Sequence, residues 1–246
     1  MKVVAIIEAR MTSTRLPGKH FLLANKKPML GHLIDRIKQV TSIDEIVIAT
    51  TTNDTDDVLC KFSEDMGVSI YRGSEADVML RVLEAGMEFG ADVICEVTGD
   101  CPIIDPELIE QVIQTFHKNV KFNVAYVNNG QSGIPDGMSA QVFDLLALKK
   151  SESMTKDTLD REHVTLHIKR NPEIFPPIYM VAPLSLQWAG LGLTMDERSD
   201  YELLKNIIEY FGDSNPYFSC GEVISLLREK PEWVEINEHV SRKGAS

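Results

Sequence analysis

The residues best able to do chemistry stand close to the start of the chain. Arg10, Arg15 and Lys19 place three cations within ten residues, in a loop kept slim by Ser13, Thr14 and Gly18. The run before them, Val3-Val4-Ala5-Ile6-Ile7, is continuously apolar and reads as a buried parallel strand. A slim loop at the end of such a strand lets backbone N–H groups and cationic side chains close around a polyphosphate. Fixed cations stabilise the charge on a phosphorus centre as one oxygen arrives and another leaves. A solvated basic turn is the plainer alternative for three cations in a loop.

Two carboxylates come next. Asp100 lies in Thr98-Gly99-Asp100-Cys101-Pro102, just past the apolar run 93–97. That places it beyond the carboxyl end of a predicted strand, where open α/β sheets bind ligands. A lone carboxylate there suits Mg²⁺, which takes one or two protein carboxylates and fills its shell with water and phosphate oxygens. Capping the turn before Pro102 is the structural alternative. Asp196 ends the alternating stretch Leu191-Gly192-Leu193-Thr194-Met195-Asp196, which reads as another strand delivering a carboxylate to the same edge. Asp200, nearby, also suits the start of the helix that follows.

These groups need a sheet to hold them, and the first half of the chain supplies its pattern. Strands at 3–9, 45–50, 68–71 and 93–97 alternate with helices at about 30–40, 55–66, 77–89 and 105–116. Asp105 and Pro106 are the N-cap and first-turn proline of the last of these helices. Such β–α repeats predict an α/β fold, a mostly parallel, doubly wound sheet with helices on both faces. The rhythm fails at about 126–192, where Gly130, Gly133, Pro135, Gly137, Pro176 and Pro177 punctuate short segments. This stretch reads as an insertion carrying substrate contacts, or an arm packing on a second subunit, within a single domain spanning 1–246. A helix over 200–211, a capping box at Ser219 and Glu222, and a frayed tail after Val240 complete the expectation.

A chain of 246 residues fits one α/β domain. Its net charge of −12 argues against a nucleic-acid surface. No apolar run approaches the ~20 residues of a membrane helix, and no secretory pattern opens the chain, so a cytoplasmic protein is expected. The four cysteines form no C-x-x-C pair, and neither a disulfide framework nor a zinc site is indicated. Cys95, inside a predicted strand, reads as core.

The block Ala9-Arg10-Met11-Thr12-Ser13-Thr14-Arg15-Leu16-Pro17-Gly18-Lys19 resembles the signature of the cytidylyltransferases that activate acidic sugars, the CMP-sialate and CMP-KDO synthetases. The spore-coat polysaccharide synthesis proteins are the nearest resemblance. Tyr71-Arg72-Gly73-Ser74-Glu75-Ala76-Asp77-Val78, the turn at Asp100, Arg161-Glu162-His163-Val164-Thr165 and Leu193-Thr194-Met195-Asp196 follow in that family's order. The resemblance implies a Rossmann-like, nucleotide-diphospho-sugar transferase type of fold. It also implies a homodimer and a Mg²⁺-dependent transfer from CTP to a small anionic sugar-like acceptor, for surface polysaccharide or glycan synthesis. Asp196 would partner Asp100 on the metal, and Arg10, Lys19 and Asp100 would be catalytic. Ala9, Arg10, Ser13, Arg15, Lys19, Thr50, Arg72 and Ser74 would bind the nucleotide, the last three beside a pyrimidine edge. Ser74 equally reads as a helix N-cap with Asp77 at N3.

For the acceptor, Pro135, Asp136 and Gly137 offer a glycine turn that a ligand can approach, and Arg161 and His163 can meet an anion. His163 reads equally as a structural histidine. The resemblance breaks at three points, all on the acceptor side. Glu96 and Gly192 stand where the spore-coat-like pattern has arginines, and Ser139-Ala140-Gln141 where acidic residues are common. Two further readings stay open, a sugar 1-phosphate nucleotidyltransferase using another NTP and a catalytically weak nucleotide-binding subunit.

Overall fold

The computed structural model describes residues 1–241. Its centre is β1 (Val3–Glu8), whose first five residues are wholly buried. Val3, Ala5 and Ile7 face one apolar cluster and Val4 and Ile6 another, so both faces of the strand are covered. Burying one such side chain contributes about 1.5–3 kcal/mol, which is why an unbroken apolar run belongs in the middle of a parallel sheet.

After β1 come a short hairpin, β2 (Leu23–Ala24) and β3 (Lys27–Pro28), and helix α1 (Met29–Ile37). Then follow β4 (Glu45–Thr51), α2 (Asp57–Met66), β5 (Ser69–Gly73), α3 (Val78–Glu88), β6 (Val93–Thr98) and α4 (Pro106–Asn119). Helix α2 starts at Asp57 because Asp54–Asp56 form a 3₁₀ turn ahead of it. The cap expected at Asp105 is present, its carboxylate accepting from Glu107 N at 2.9 Å. Cys95 is fully buried in β6.

The stretch at 126–192 builds into the sheet. It supplies β7 (Tyr126–Asn128), β8 (Gln141–Asp144) and β9 (Pro177–Tyr179), with α5 (Leu145–Met154), α6 (Thr158–Glu162) and α7 (Leu166–Arg170) between β8 and β9. The strand order is β5-β4-β1-β6-β8-β7-β9. Strands β5, β4, β1 and β6 run parallel, β8 runs antiparallel between β6 and β7, and β9 is parallel to β7. Helices α8 (Arg198–Phe211) and α9 (Cys220–Glu229) follow, both opened by capping boxes. Asp200 is N3 of the first box, so it does open that helix. The expected strand at Leu191 to Asp196 is absent; one bridge, Asp136 to Gly192, holds this extended segment. The expected frayed tail lies outside the described residues, apart from Ser241, whose carbonyl accepts from Arg15. Among the described residues no helix is long and apolar enough to cross a membrane.

Candidate active site

The order of strands reverses at β1, since β4 lies on one side of it and β6 on the other. A crevice opens beyond the carboxyl ends at such a switch point. The loop after β1 and the loop after β6 both enter it. The first loop is anchored from below by Asp56, a buried carboxylate that accepts from Met11 N (2.8 Å) and from the Thr50 and Thr51 hydroxyls (3.0 and 2.6 Å). Burial opposes ionisation of Asp56, and these hydrogen bonds outweigh it, holding its pKa below the ordinary value. Gly18, at φ 68°, then turns the chain into the 3₁₀ turn Lys19–Phe21.

Lys19 sits at the bottom of the crevice, with 8% of its surface exposed. Its Nζ donates to Asp100 Oδ2 (2.9 Å), Met195 O (2.8 Å) and Asp196 Oδ1 (3.4 Å), which uses all three ammonium protons. Arg15 reaches the same Asp196 oxygen at 2.8 Å. Asp196 is set in place by its neighbours: the fully buried Asp200 accepts from Asp196 N and Glu197 N, and Asn237 ties Asp200 to Gly192 O. Met195 N donates to Asp100 O (2.8 Å), which locks the two carboxylate-bearing loops together. Burial again opposes the charge on Asp100, and Lys19 and the Thr98 hydroxyl outweigh it, so its pKa is lowered. Gly99 is required here, because a Cβ would stand 2.7 Å from Glu8 O.

Two cavities meet at Thr98. One, of about 300 Å³, is lined by the first loop (Arg10, Ser13, Thr14, Arg15, Lys19), by Asp100 and Asp196, and by Glu8, His20, Arg81, Glu162 and His163. The other, of about 660 Å³, is lined by Glu96, Asn128, Gln131, Asp136, Gly137, Ser139, Gln141, Lys169 and Thr194. Glu8 and Glu96 stand on one face of the sheet between them and lie within hydrogen-bonding reach of each other. Burial, then the neighbouring Glu96 carboxylate, pushes Glu8 well above the usual carboxylate range.

The donor set fits a divalent cation of the Mg²⁺ kind. Asp100 and Asp196 offer hard carboxylate oxygens that converge on one point, the Lys19 ammonium. An ion held by these two carboxylates alone would keep most of its shell in water and ligand oxygens.

A model of the cytidylyltransferase family matches residues 4–215. The chain belongs to the cytidylyltransferase family. This cytidylyltransferase is therefore a nucleotidyltransferase, an enzyme. It is 32% identical to the spore coat polysaccharide biosynthesis protein SpsF of Bacillus subtilis, over 94% of this chain and 95% of that protein. A solved cytidylyltransferase from Leptospira borgpetersenii superposes with a TM-score of 0.90 at 31% identity, covering 99% of both chains. The CMP:2-keto-3-deoxy-manno-octonic acid synthetase solved with CTP gives a TM-score of 0.63 at 17% identity, covering 85% of this chain and 99% of that one, which shows the shared fold.

The cytidylyltransferase gathers Ala9, Arg10, Ser13, Arg15, Lys19, Asp100, Asp196 and His163 at the smaller cavity, and Asp136 and Gly137 at the larger. Other expected residues are engaged elsewhere. The Thr50 hydroxyl is buried on Asp56. Arg72 donates to Thr51 O, Asn53 O and Asp57, tying strand ends together. Ser74 Oγ accepts from Asp77 N, while the N-cap of α3 is Asp77 itself, accepting from Leu80 N. Arg161 is held by Asp77 and by Glu152 and lines neither cavity. Pro135 also lines neither; its carbonyl accepts from Met138 N and turns the chain. Sequence reasoning missed Glu8, Asp56, His20, Gln141 and Lys169. Of these only His20, beside Lys19, carried a positional signal.

Proposed function

We propose that this enzyme joins CTP to a hydroxyl-bearing, sugar-like acceptor, forming a CMP-activated donor and pyrophosphate. Its product would serve surface polysaccharide or glycan synthesis. One observation carries the reading: three loop cations and a carboxylate pair share a crevice that opens at Thr98 into a second, polar cavity of acceptor size. The named likenesses to SpsF and to a synthetase solved with CTP support it.

In this reading the triphosphate lies along Arg10, Arg15 and Lys19. Their side-chain exposures of 43%, 28% and 10% run from an open rim to a closed floor. Each cation is paired with a carboxylate, Glu75, Asp196 or Asp100, so the site is held in shape before the ligand arrives. The acceptor oxygen forms a bond to the α-phosphorus as the bond to pyrophosphate breaks. Asp100 and Asp196 would hold Mg²⁺, which would polarise the α-phosphate and lower the pKa of the attacking hydroxyl. A homodimer would form on the arm at the β9 edge, where Val181 and Leu184 are 81% and 84% exposed; light scattering of the eluted protein tests it.

The experiment is pyrophosphate release with each of the four NTPs, with Mg²⁺ or with EDTA, against sugars, sugar acids and sugar phosphates. Release with CTP, Mg²⁺ and one sugar-like acceptor is expected. Preference for another NTP with a sugar phosphate overturns the CTP assignment, and release undiminished in EDTA overturns the metal.

A further inference from the structure

Two carboxyl groups meet between the cavities, and the proposed transfer uses neither. Glu8 stands at the end of β1 and lines the smaller cavity. Glu96, on β6, is 5% exposed and lines the larger one. The register of β1 on β6 pairs Ile6 with Glu96 and Glu8 with Thr98, so the two glutamates are diagonal neighbours on one face of the sheet. They lie within hydrogen-bonding reach of each other. Glu8 Oε1 and Glu96 Oε2 are both buried, and neither accepts a hydrogen bond from any other described residue.

The charges around the pair do not neutralise it. Arg81, from α3, is buried and acts on Glu8 through its charge, yet it donates to Ser74 O and is in no ion pair among the described residues. Lys169, from α7, acts on Glu96 in the same way and is likewise in no ion pair among the described residues. Asp100, from the loop after β6, adds a negative charge near Glu8. Tyr126 on β7 and Cys95 on β6 are the other titratable groups near Glu96, and burial pushes both up, so they stay neutral. Glu162 and His163 line the smaller cavity with Glu8. Two carboxylate oxygens in contact, away from water and without an ion-paired cation, repel each other; one proton turns the contact into a hydrogen bond. Burial raises both carboxyl groups, in keeping with a retained proton.

We propose that Glu8 and Glu96 hold one proton between them at neutral pH, and that this shared proton is a pH-sensitive switch on nucleotide affinity. The inference rests on the proposed binding of CTP in the smaller cavity and adds a regulation to it. With the proton in place the pair carries one negative charge and its two groups are joined. As pH rises the proton leaves, a second negative charge appears on the wall of the triphosphate cavity, and the two groups are driven apart. Both changes weaken the binding of a polyanion. By the reciprocity of linked equilibria, CTP draws a proton onto the pair wherever the pair is ionised.

Glu8→Gln and Glu96→Gln each mimic the protonated pair, since an amide keeps the hydrogen bond and one negative charge but cannot titrate. Infrared difference spectra of the free protein at pH 7 read the proton directly: the wild type should show a protonated-carboxyl stretch that both variants lack. Calorimetry of CTP with Mg²⁺ from pH 6 to 9 reads its consequence. Wild-type affinity should fall by about three- to tenfold more than that of either variant, all three sharing the titrations of His163 and of CTP itself. Absence of the carboxyl band, or one pH profile common to the wild type and the folded variants, overturns the inference and leaves the proposed transfer standing. Absence of CTP binding at every pH overturns both. Should one variant fail to fold, the other supplies the comparison, and the wild-type band at pH 7 against pH 9 decides whether the proton is held and then lost.

Discussion

The nucleotide-side crevice and the acceptor-side cavity are built in opposite ways. In the crevice the three loop cations are already answered: Lys19 by three acceptors, Arg15 by Asp196, Arg10 by Glu75. Its groups come from a few loops at one edge of the parallel strands. In the larger cavity Glu96 and Lys169 stand apart, and the lining comes from β6, β8, α7 and the turns around 128–139 and 194. In the proposed transfer the first region, preorganised by its ion pairs, would receive the one invariant part of the ligand, the triphosphate. The second draws single residues from several separate elements. In the proposed transfer, chemistry would belong to the first region and selectivity to the second.

The hardest test of that division is Asp100→Asn. The change is isosteric and leaves Lys19 its Met195 and Asp196 acceptors, so the fold should hold. Turnover should fall about 10²–10³-fold, the usual loss when a preorganised electrostatic group is removed. Steady-state pyrophosphate release with a melting control checks it. Near-normal turnover in a folded variant would move the chemistry away from the crevice.

The second prediction concerns His20, which lies under the same loop with Nδ1 3.1 Å from Gly99 O. Burial, then the charge of Lys19, lowers its pKa from 6.5 to about 4. The unfolded chain therefore binds a proton that the folded chain refuses, and stability falls as pH drops from 6.5 toward 4. The loss over that window is about 3 kcal/mol at most, at 1.36 kcal/mol per pH unit. Glu8 opposes it above pH 4.5: its raised pKa stabilises the fold at low pH and that stabilisation is lost as pH rises. Urea melts at pH 7 and 4.5 should show a smaller acid loss in His20→Gln than in the wild type. An identical loss would place the acid sensitivity elsewhere.

The contrast also explains what the sequence could reveal. The strand 3–9, the slim cationic loop and the turn at Asp100 are contiguous blocks, and a parallel sheet needs only local periodicity to bring their ends together. Asp196 was legible as a carboxylate near the site, although the segment bearing it is no strand; a single bridge to Asp136 and the Asp200 anchor hold it. Arg72 and Arg161 are held by the protein's own Asp57 and Asp77, and a cation in a motif block carries no mark of whether its partner is such a carboxylate or a ligand. Lys169 was invisible for a further reason: it reaches the cavity only because β8 returns antiparallel beside β6 and carries α5 to α7 over that face. No local pattern records such a return.

Gly137 joins the two regions, and its replacement gives an intermediate effect. At φ 90° a Cβ would stand 2.6 Å from the Leu193 carbonyl carbon and oxygen, against the segment that leads to Asp196. Gly137→Ala should destabilise by about 1–3 kcal/mol. It should raise the acceptor KM more than the CTP KM, since Lys19, Arg15 and Asp200 hold Asp196 independently. Melting temperature and both KM values check it; a larger rise for CTP would mean that the two regions are not separable.

The smallest effect is expected at the open rim. Glu75 accepts from Asn53 (2.7 Å), Thr12 (3.0 Å) and Arg10 (3.1 Å), and the Arg10–Glu75 pair is about two-fifths exposed on both sides. An ion pair so exposed contributes about 0–1 kcal/mol, so Glu75→Gln should leave stability within about 0.5 kcal/mol of the wild type. If Arg10 exchanges Glu75 for the triphosphate, removing the competing carboxylate should tighten CTP by about threefold at low salt, a difference worth less than the pair itself. That gain should shrink as ionic strength rises, because both charges face water. Calorimetric titration with CTP at two salt concentrations decides it. Unchanged affinity at low salt would mean that Arg10 serves the loop rather than the ligand, and that the preorganised region ends at Arg15.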